Sequence, residues 1–280
     1  MLSIPWCRVQ MVVIGLMAFL SQSTELVFAV EIIAHRGASF DAPENTLASI
    51  RLAWKQNADA VEIDVYLSRD GHIVAVHDET TKRYGGPDKK IADQTLKELQ
   101  SIDVGRWKDP KWTGEKIPTL AEILPTIPKN KRLFIEIKCG PEIIPELKRV
   151  LKTAKLPPQR TAIIGFSLPT MQKIKRALPK LEVSWIVSLK RNKSTQRWQP
   201  SLNQILRQAR DAKLDGIDLS AKPVINLKYV QRAKQAGLRF YVWTVNSETE
   251  ARRLQNAGVD GITTDRPGWL RTKLYPKSNR

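Results

Sequence analysis

Residues 60–66 read AVEIDVY, and the fold turns on how that heptad disposes its side chains. Along an extended strand successive side chains point to opposite faces, so Val61, Ile63 and Val65 share one side and Glu62 and Asp64 the other. An apolar outer face under helices, with two acids turned inward, suits a strand of a closed parallel barrel. Two like charges held that closely are costly unless something positive joins them. Residues 132–138, RLFIEIK, repeat the pattern, with Ile135 and Ile137 on one face and Glu136 and Lys138 on the other.

Further β-like runs lie on both sides of this pair: EIIAH (31–35), TAIIGF (161–166), VSWIV (183–187), DGIDLS (215–220), LRFYVWT (238–244) and VDGITT (259–264). Most are apolar almost throughout, as expected of parallel strands covered on both faces. Amphipathic helical runs fill the gaps, among them NTLASIRLAWKQ, PELKRVLKTAK, TMQKIKRAL and SETEARRLQNAG. Eight strands alternating with helices predict an α/β fold, a (β/α)8 TIM barrel. No Gly-rich dinucleotide fingerprint follows the first strand, which argues against an open nucleotide-binding sheet.

The connection from 67 to 131 breaks the alternation. It opens with the turn signal RDG and a β-like HIVAVH, predicting a hairpin with the second strand. A helical IADQTLKELQSID and a Trp-, Pro- and Gly-rich GRWKDPKWTGEKIPTL follow. This stretch reads as an insertion standing over one barrel end. The barrel domain is expected over 30–272, followed by a loose basic tail, 273–280.

The first 29 residues have a different character. Arg8 is the only charge before the run MVVIGLMAFL at 11–20. That run is shorter than the roughly 20 residues needed to cross a bilayer but suits the core of a signal peptide. Cleavage after Ala29 and export to the periplasm or medium are expected, with an uncleaved anchor as the alternative. Cys7 lies in that segment, which leaves Cys139 alone and no internal disulfide.

The chain of 280 residues is 42% hydrophobic and 26% charged, with a formal charge of +18. Such a surplus attracts anions: phosphates, lipid headgroups or cell-wall polymers. Its lysines and arginines are spread along KRVLKTAK, MQKIKRALPK and ARRL rather than gathered with aromatics, so no nucleic-acid partner is expected. A peripheral contact with an anionic membrane or cell-wall surface fits the charge, whereas the oligomeric state has no signature here.

Three carboxylates and a lysine thus converge at neighbouring strand ends. Oxygen ligands of this kind suit one hard divalent cation, Mg2+ or Ca2+, better than zinc. His35 closes EIIAH and His77 closes HIVAVH, and C-terminal strand ends of such barrels carry their active sites. Two imidazoles beside a cation can act as general acid and base near neutral pH. Arg36 adds a planar fork suited to a phosphate oxygen. His72, inside the hairpin, reads as an ordinary structural residue.

The stretches AHRGASFDAPENTLASI, VEIDVYLSRDGHIVAVHDETTKR, IPTLAEIL, FIEIK and VWTVN…GVDGITTDRP together resemble the glycerophosphodiester phosphodiesterase family, in order, from about Ile32 to Leu270. The ordered set is far more specific than any one piece. The resemblance implies His35 and His77 as the acid–base pair and Glu62, Asp64 and Glu136 as ligands of the cation. It implies Arg36 and Lys138 on the phosphate, Glu44 at the edge of the site, and Trp243 and, less directly, Phe166 as an apolar wall against the glycerol moiety. The implied reaction yields glycerol 3-phosphate and an alcohol. A phospholipase D-like hydrolase of lysophospholipids at a membrane surface is the nearest rival. Ser68 stands where the family usually has Thr, a change that keeps the hydroxyl, and the short insertion is that of compact bacterial members. The stretch TTDRP (263–267) is expected to shape a loop rather than join the reaction.

Overall fold

The computed structural model describes residues 29–276. The signal-peptide expectation, on residues 1–29, falls outside the described residues except for Ala29, as do residues 277–280 of the basic tail.

Eight parallel strands form the barrel: β1 (Glu31–Ala34), β2 (Ala60–Leu67), β3 (Arg132–Ile137), β4 (Thr161–Gly165), β5 (Glu182–Val187), β6 (Gly216–Ser220), β7 (Arg239–Trp243) and β8 (Gly261–Thr264). Each pairs with its sequence neighbour, and β1 pairs with both β8 and β2, so the ring closes with no parallel edge left open. Among the described residues seven helices of eight residues or more stand outside: α1 (Leu47–Lys55), α2 (Ile144–Ala154), α3 (Leu168–Ala177), α4 (Leu202–Asp211), α5 (Leu227–Gln235), α6 (Glu248–Asn256) and α7 (Pro267–Leu274). The eighth position, between β2 and β3, is taken by the short helix Leu120–Ile123. Leu120 and Ile123 are fully buried in one core with Val61, Ile63 and Ile135. The long connection is therefore an insertion only up to about residue 119. Beyond that it is the barrel's own second helix, shortened, which corrects the boundary at 131.

The predicted hairpin is present. Ile73–Ala75 pairs antiparallel with Val65–Leu67, and its turn is closed by the His72 N–H donating to Ser68 Oγ at 2.9 Å. The rest of the insertion carries its own small core of Val74, Tyr84, Ile91, Leu99, Ile102 and Ile117.

Strand register sorts the interior. In one ring of partners Ile33 faces Ala60 and Thr263, Asp64 faces Glu136, Glu136 faces Ile164, Ile186 faces Asp218, and Ser220 faces Trp243. These residues share the inward parity, while their strand neighbours point to the helices. The middle of the barrel is apolar: Ile33, Ala60, Phe134, Ala162, Ile164, Ile186 and Tyr241 pack together, with the Phe134 and Tyr241 rings edge to face at 5.2 Å. Each such large apolar side chain contributes about 2 kcal/mol by leaving water. Beneath this plug, Arg132 is held between Glu31 at 2.9 Å and Glu182 at 2.6 Å, and Tyr241 Oη donates to Glu182.

At the C-terminus the structure departs from the expected tail. Helix α7 runs through Lys273, which pairs with Glu248 at 3.2 Å, and Tyr275 Oη accepts the Val30 N–H at 2.8 Å. Residues 273–275 are thus docked under the barrel, because Leu274 is buried and Tyr275 has a backbone partner.

Candidate active site

The site stands at the C-terminal ends of the strands, in a cavity of about 200 Å3 lined by His35, Arg36, Glu62, His77, Glu136, Lys138, Ile164, Phe166, Ile186, Asp218 and Trp243, with Thr244 and Thr263. Strand parity explains why they meet: the positions that aim inward from β1, β2, β3 and their neighbours end at one mouth.

Glu62, Asp64 and Glu136 are buried and bring one carboxylate oxygen each to within 4.8 Å of the others. Among the described residues this is the one group of His, Cys, Asp and Glu gathered closely enough for a metal ion. Burial pushes Glu62 well above the usual carboxylate range, and the adjoining Asp64 and Glu136 charges push it further. Glu136 is raised for the same two reasons, burial and Asp64, against the pull of Lys138. Two oxygens, Glu62 Oε1 and Glu136 Oε1, are buried without a hydrogen bond. Glu136 Oε1 does lie 3.0 Å from Lys138 Nζ, an ion pair outside hydrogen-bond geometry. Buried acids left this way are strongly disfavoured unless a cation completes them. Hard oxygen donors, mutually close and short of partners, fit a divalent cation.

Two cations hold the acids in place. Arg36 Nε is 3.1 Å from Asp64 Oδ2, and Lys138 Nζ is 3.4 Å from Asp64 Oδ1. Burial works against the charge on both, yet the surrounding carboxylates outweigh it and raise both above their ordinary values. Arg36 sits in a tight turn with φ of 56°, and its N–H donates to Glu62 Oε2 at 2.9 Å. Gly37 follows with φ of 81°, and a Cβ there would come within 2.5 Å of Ser49 Oγ, so the turn admits only glycine.

Glu44 stands behind Arg36 rather than on the cavity wall. Helix α1 starts from a capping box of Thr46 and Ser49, so Glu44 precedes the cap and is not a residue of the first turn. Its carboxylate accepts from Arg36 Nη1 at 3.1 Å and from Arg83 and Tyr84 of the insertion. Burial opposes its charge, but Arg36 and Arg83 hold it below the ordinary range. What it gives the site is the position of the Arg36 guanidinium.

The two histidines are oriented alike. His35 Nδ1 lies 2.6 Å from Asp265 Oδ1, and His77 Nδ1 lies 2.7 Å from Asp78 Oδ1. Both acids are held below their ordinary range despite partial burial, Asp265 by His35, Asn246 and Ser39, and Asp78 by Arg83 and His77. An ionised carboxylate only accepts, so each Nδ1 carries the proton and Nε2 is the ring nitrogen left for a ligand. Burial pulls His77 below its usual value, which favours the neutral imidazole.

Five residues of this network escaped the sequence reading: Asn45, Asp78, Arg83, Tyr84 and Asp265. Asp265, read as shaping a loop, is the partner of His35. Asn45 donates to Asp64 Oδ2 at 3.0 Å and accepts the Asp64 N–H at 3.1 Å. Asn45, Asp78 and Asp265 lie in loops, and Arg83 and Tyr84 in a single 3-10 turn (Lys82–Tyr84), where no periodicity signals direction. Trp243 and Phe166 do meet on the cavity wall, rings edge to face at 5.6 Å. Cys139 is partly buried, and burial pushes its thiol to about 11, consistent with a packed residue and not a nucleophile.

Comparison with known proteins agrees with this fold. The profile of the glycerophosphoryl diester phosphodiesterase family matches residues 35–269. A glycerophosphodiester phosphodiesterase of Caldanaerobacter subterraneus subsp. tengcongensis is 32% identical over 85% of this chain and 95% of its own length. One of Bacillus subtilis is 30% identical over 84% of this chain and 83% of its own. Among solved structures, an Oleispira antarctica phosphodiesterase in complex with the product sn-glycerol-3-phosphate superimposes with a TM-score of 0.76, at 31% identity, covering 88% of this chain and 97% of that one. The closed eight-stranded barrel, the clustered acids and the relatives lead to one assignment: the chain belongs to the glycerophosphoryl diester phosphodiesterase family of phosphoric diester hydrolases.

Proposed function

We propose that the protein hydrolyses glycerophosphodiesters to glycerol 3-phosphate and an alcohol, with a divalent cation on Glu62, Asp64 and Glu136 and with His35 and His77 as general acid and base. The observation that carries this reading is the meeting of three buried acids with two Nδ1-anchored imidazoles around one cavity. Charge supports it. With all three acids ionised, as cation ligands must be, three carboxylates against Arg36 and Lys138 leave the cluster one negative charge in excess, which repels a phosphodiester. A divalent cation reverses that excess and makes the site complementary to a monoanion.

When bound, a hard cation such as Mg2+ or Ca2+ draws charge from the phosphate oxygens and stabilises the negative charge that develops there. Arg36 and Lys138 orient the same oxygens through fixed donors. In the net reaction a water oxygen bonds to phosphorus while one imidazole takes its proton at Nε2, and the other imidazole gives a proton to the departing alkoxide as the bond from phosphorus to that oxygen breaks. Trp243 and Phe166 present an apolar wall to the glycerol carbons, and Glu44 holds Arg36 still. The product named in the Oleispira complex is in keeping with this outcome.

Hydrolysis of glycerophosphocholine, measured with EDTA and then with Mg2+ or Ca2+ restored, tests the reading. Activity should fall to background on chelation and return with one of the ions; full activity in EDTA sinks the metal-dependent mechanism. Lysophosphatidylcholine assayed in parallel should be the poorer substrate, and a preference for it would favour the membrane reading. Export after cleavage near Ala29 is proposed on the apolar run 11–20 alone, and N-terminal sequencing of the exported protein decides it.

A further inference from the structure

One inward residue is left without a role by that mechanism. Asp218, in the middle of β6, is 2% exposed and lines the cavity, yet its Oδ1 has no hydrogen-bond partner among the described residues. It lies outside the three-acid cluster. Its register partners are Ile186 and Tyr241, both part of the apolar plug, and the wall beside it is Ile164, Phe166 and Trp243. The nearest influential charge is Glu136, of the same sign. Among the described residues no arginine or lysine pairs with it, in contrast to the acids of the cation cluster.

An unpartnered buried carboxyl is costly, and a structural role would be filled better by Asn, Ser or an apolar residue. Where the protein supplies no partner, the occupant of the cavity does. The cavity, about 200 Å3 against roughly 30 Å3 for one water, admits a three-carbon fragment. Arg36, Lys138 and the histidines, which the proposed mechanism sets on the phosphate, line the same cavity as Trp243, Phe166 and Asp218, so a group joined to that phosphate shares the cavity with the aromatic wall and with Asp218. Such a group buries its carbons on Trp243 and Phe166 and needs a polar partner for any hydroxyl.

We propose that Asp218 is the specificity-determining residue for the polyol half of the substrate, its carboxyl forming a hydrogen bond with a hydroxyl of the glycerol moiety. This rests on the glycerophosphodiester reading above. The enzyme then distinguishes a glycerol ester from a plain alkyl ester of equal length by one buried polar contact, and such contacts discriminate more sharply than apolar fit does.

Calorimetric titration of the ion-loaded enzyme with glycerol 3-phosphate and with n-propyl phosphate tests this, since the two ligands differ only in hydroxyls. Wild type should bind glycerol 3-phosphate at least about 10-fold more tightly. In Asp218→Ala that preference should vanish, through a loss of about 10- to 100-fold for glycerol 3-phosphate and less than a threefold change for n-propyl phosphate. Asp218→Asn, which keeps the shape and an acceptor, should retain part of it and decides the matter if the alanine variant does not fold. A parallel loss for both ligands would make Asp218 a support of the cation cluster and overturn the proposal, as would an intact preference in both variants or none in wild type. Failure of the underlying reading looks different: wild type would then hydrolyse no glycerophosphodiester at all.

Discussion

At the floor of the barrel Arg132 lies between Glu31 and Glu182, Tyr241 donates to Glu182, and the Arg132 guanidinium stacks 5.0 Å over the Phe134 ring. At the mouth, only a few residues further along the same strands, three acids meet two cations, and Glu62 Oε1 and Glu136 Oε1 stay without hydrogen bonds. β3 supplies both ends, Arg132 to the floor and Glu136 to the mouth. The apolar plug around Phe134 and Tyr241 keeps them apart. The difference teaches how to read buried charge in this molecule. Closed on itself, a charged cluster holds the fold together. Left open, it gives up stability to hold something that is not protein.

The largest expected effect falls on the mouth. Glu62→Gln or Glu136→Gln should lower kcat/KM by about 10^3 or more, the equivalent of some 4 kcal/mol of transition-state stabilisation. The same substitutions should raise the thermal midpoint of the ion-free protein, because they relieve like charges held out of water. A fall in both activity and ion-free stability would mean that the mouth is built like the floor. Next comes Arg132→Ala, which strips the half-buried Glu31 of its ion pair and leaves Glu182 with only Tyr241 and a longer contact to Arg239 at 3.6 Å. It should cost about 3–5 kcal/mol in denaturant unfolding while kcat/KM of the folded enzyme changes less than about threefold. Loss of activity without loss of stability would erase the distinction from the other side.

The smallest effect is one of pH. Burial, opposed by Arg132, pushes Glu31 from 4.5 up to about 7. An acid whose folded value is raised binds more protons folded than unfolded between those two values. It therefore contributes stability at low pH that is lost as pH rises from about 4.5 to 7, at most about 3 kcal/mol over the window. Denaturant midpoints of wild type and Glu31→Gln, compared from pH 5 to pH 8, should show the variant losing less stability as pH rises. Parallel curves would place Glu31 as a permanent ion-pair partner.

Most of the barrel was legible because its signal is local. Alternation in AVEIDVY and RLFIEIK gives the inward parity, and that parity fixes Glu62, Asp64, Glu136 and Lys138 on one side before any coordinates. The strand bounds read from sequence differ from those observed by a residue or two at most ends. The same rule applied to Gly216–Ser220 marks Asp218 as inward, so that residue was within reach of the reading and was passed over. Asp265, Asp78 and Arg83 were not within reach. Asp265 and Asp78 act from loops and Arg83 from a one-turn 3-10 helix, where no alternation gives direction; Asp265 meets His35 from 230 positions away and Arg83 reaches Glu44 39 positions away, while Asp78 binds its own neighbour His77. The shortened second helix was hidden for a related reason. Four residues of helix, Leu120–Ile123, carry too little periodicity to stand out from the loop before them.

The docking of Tyr275 on Val30 fixes both ends of the folded domain to the underside of the barrel. An attachment made at Val30 or Tyr275 starts from the side away from the cavity. An enzyme immobilised or tethered there therefore presents its opening outward, and diffusing substrate meets it without detour.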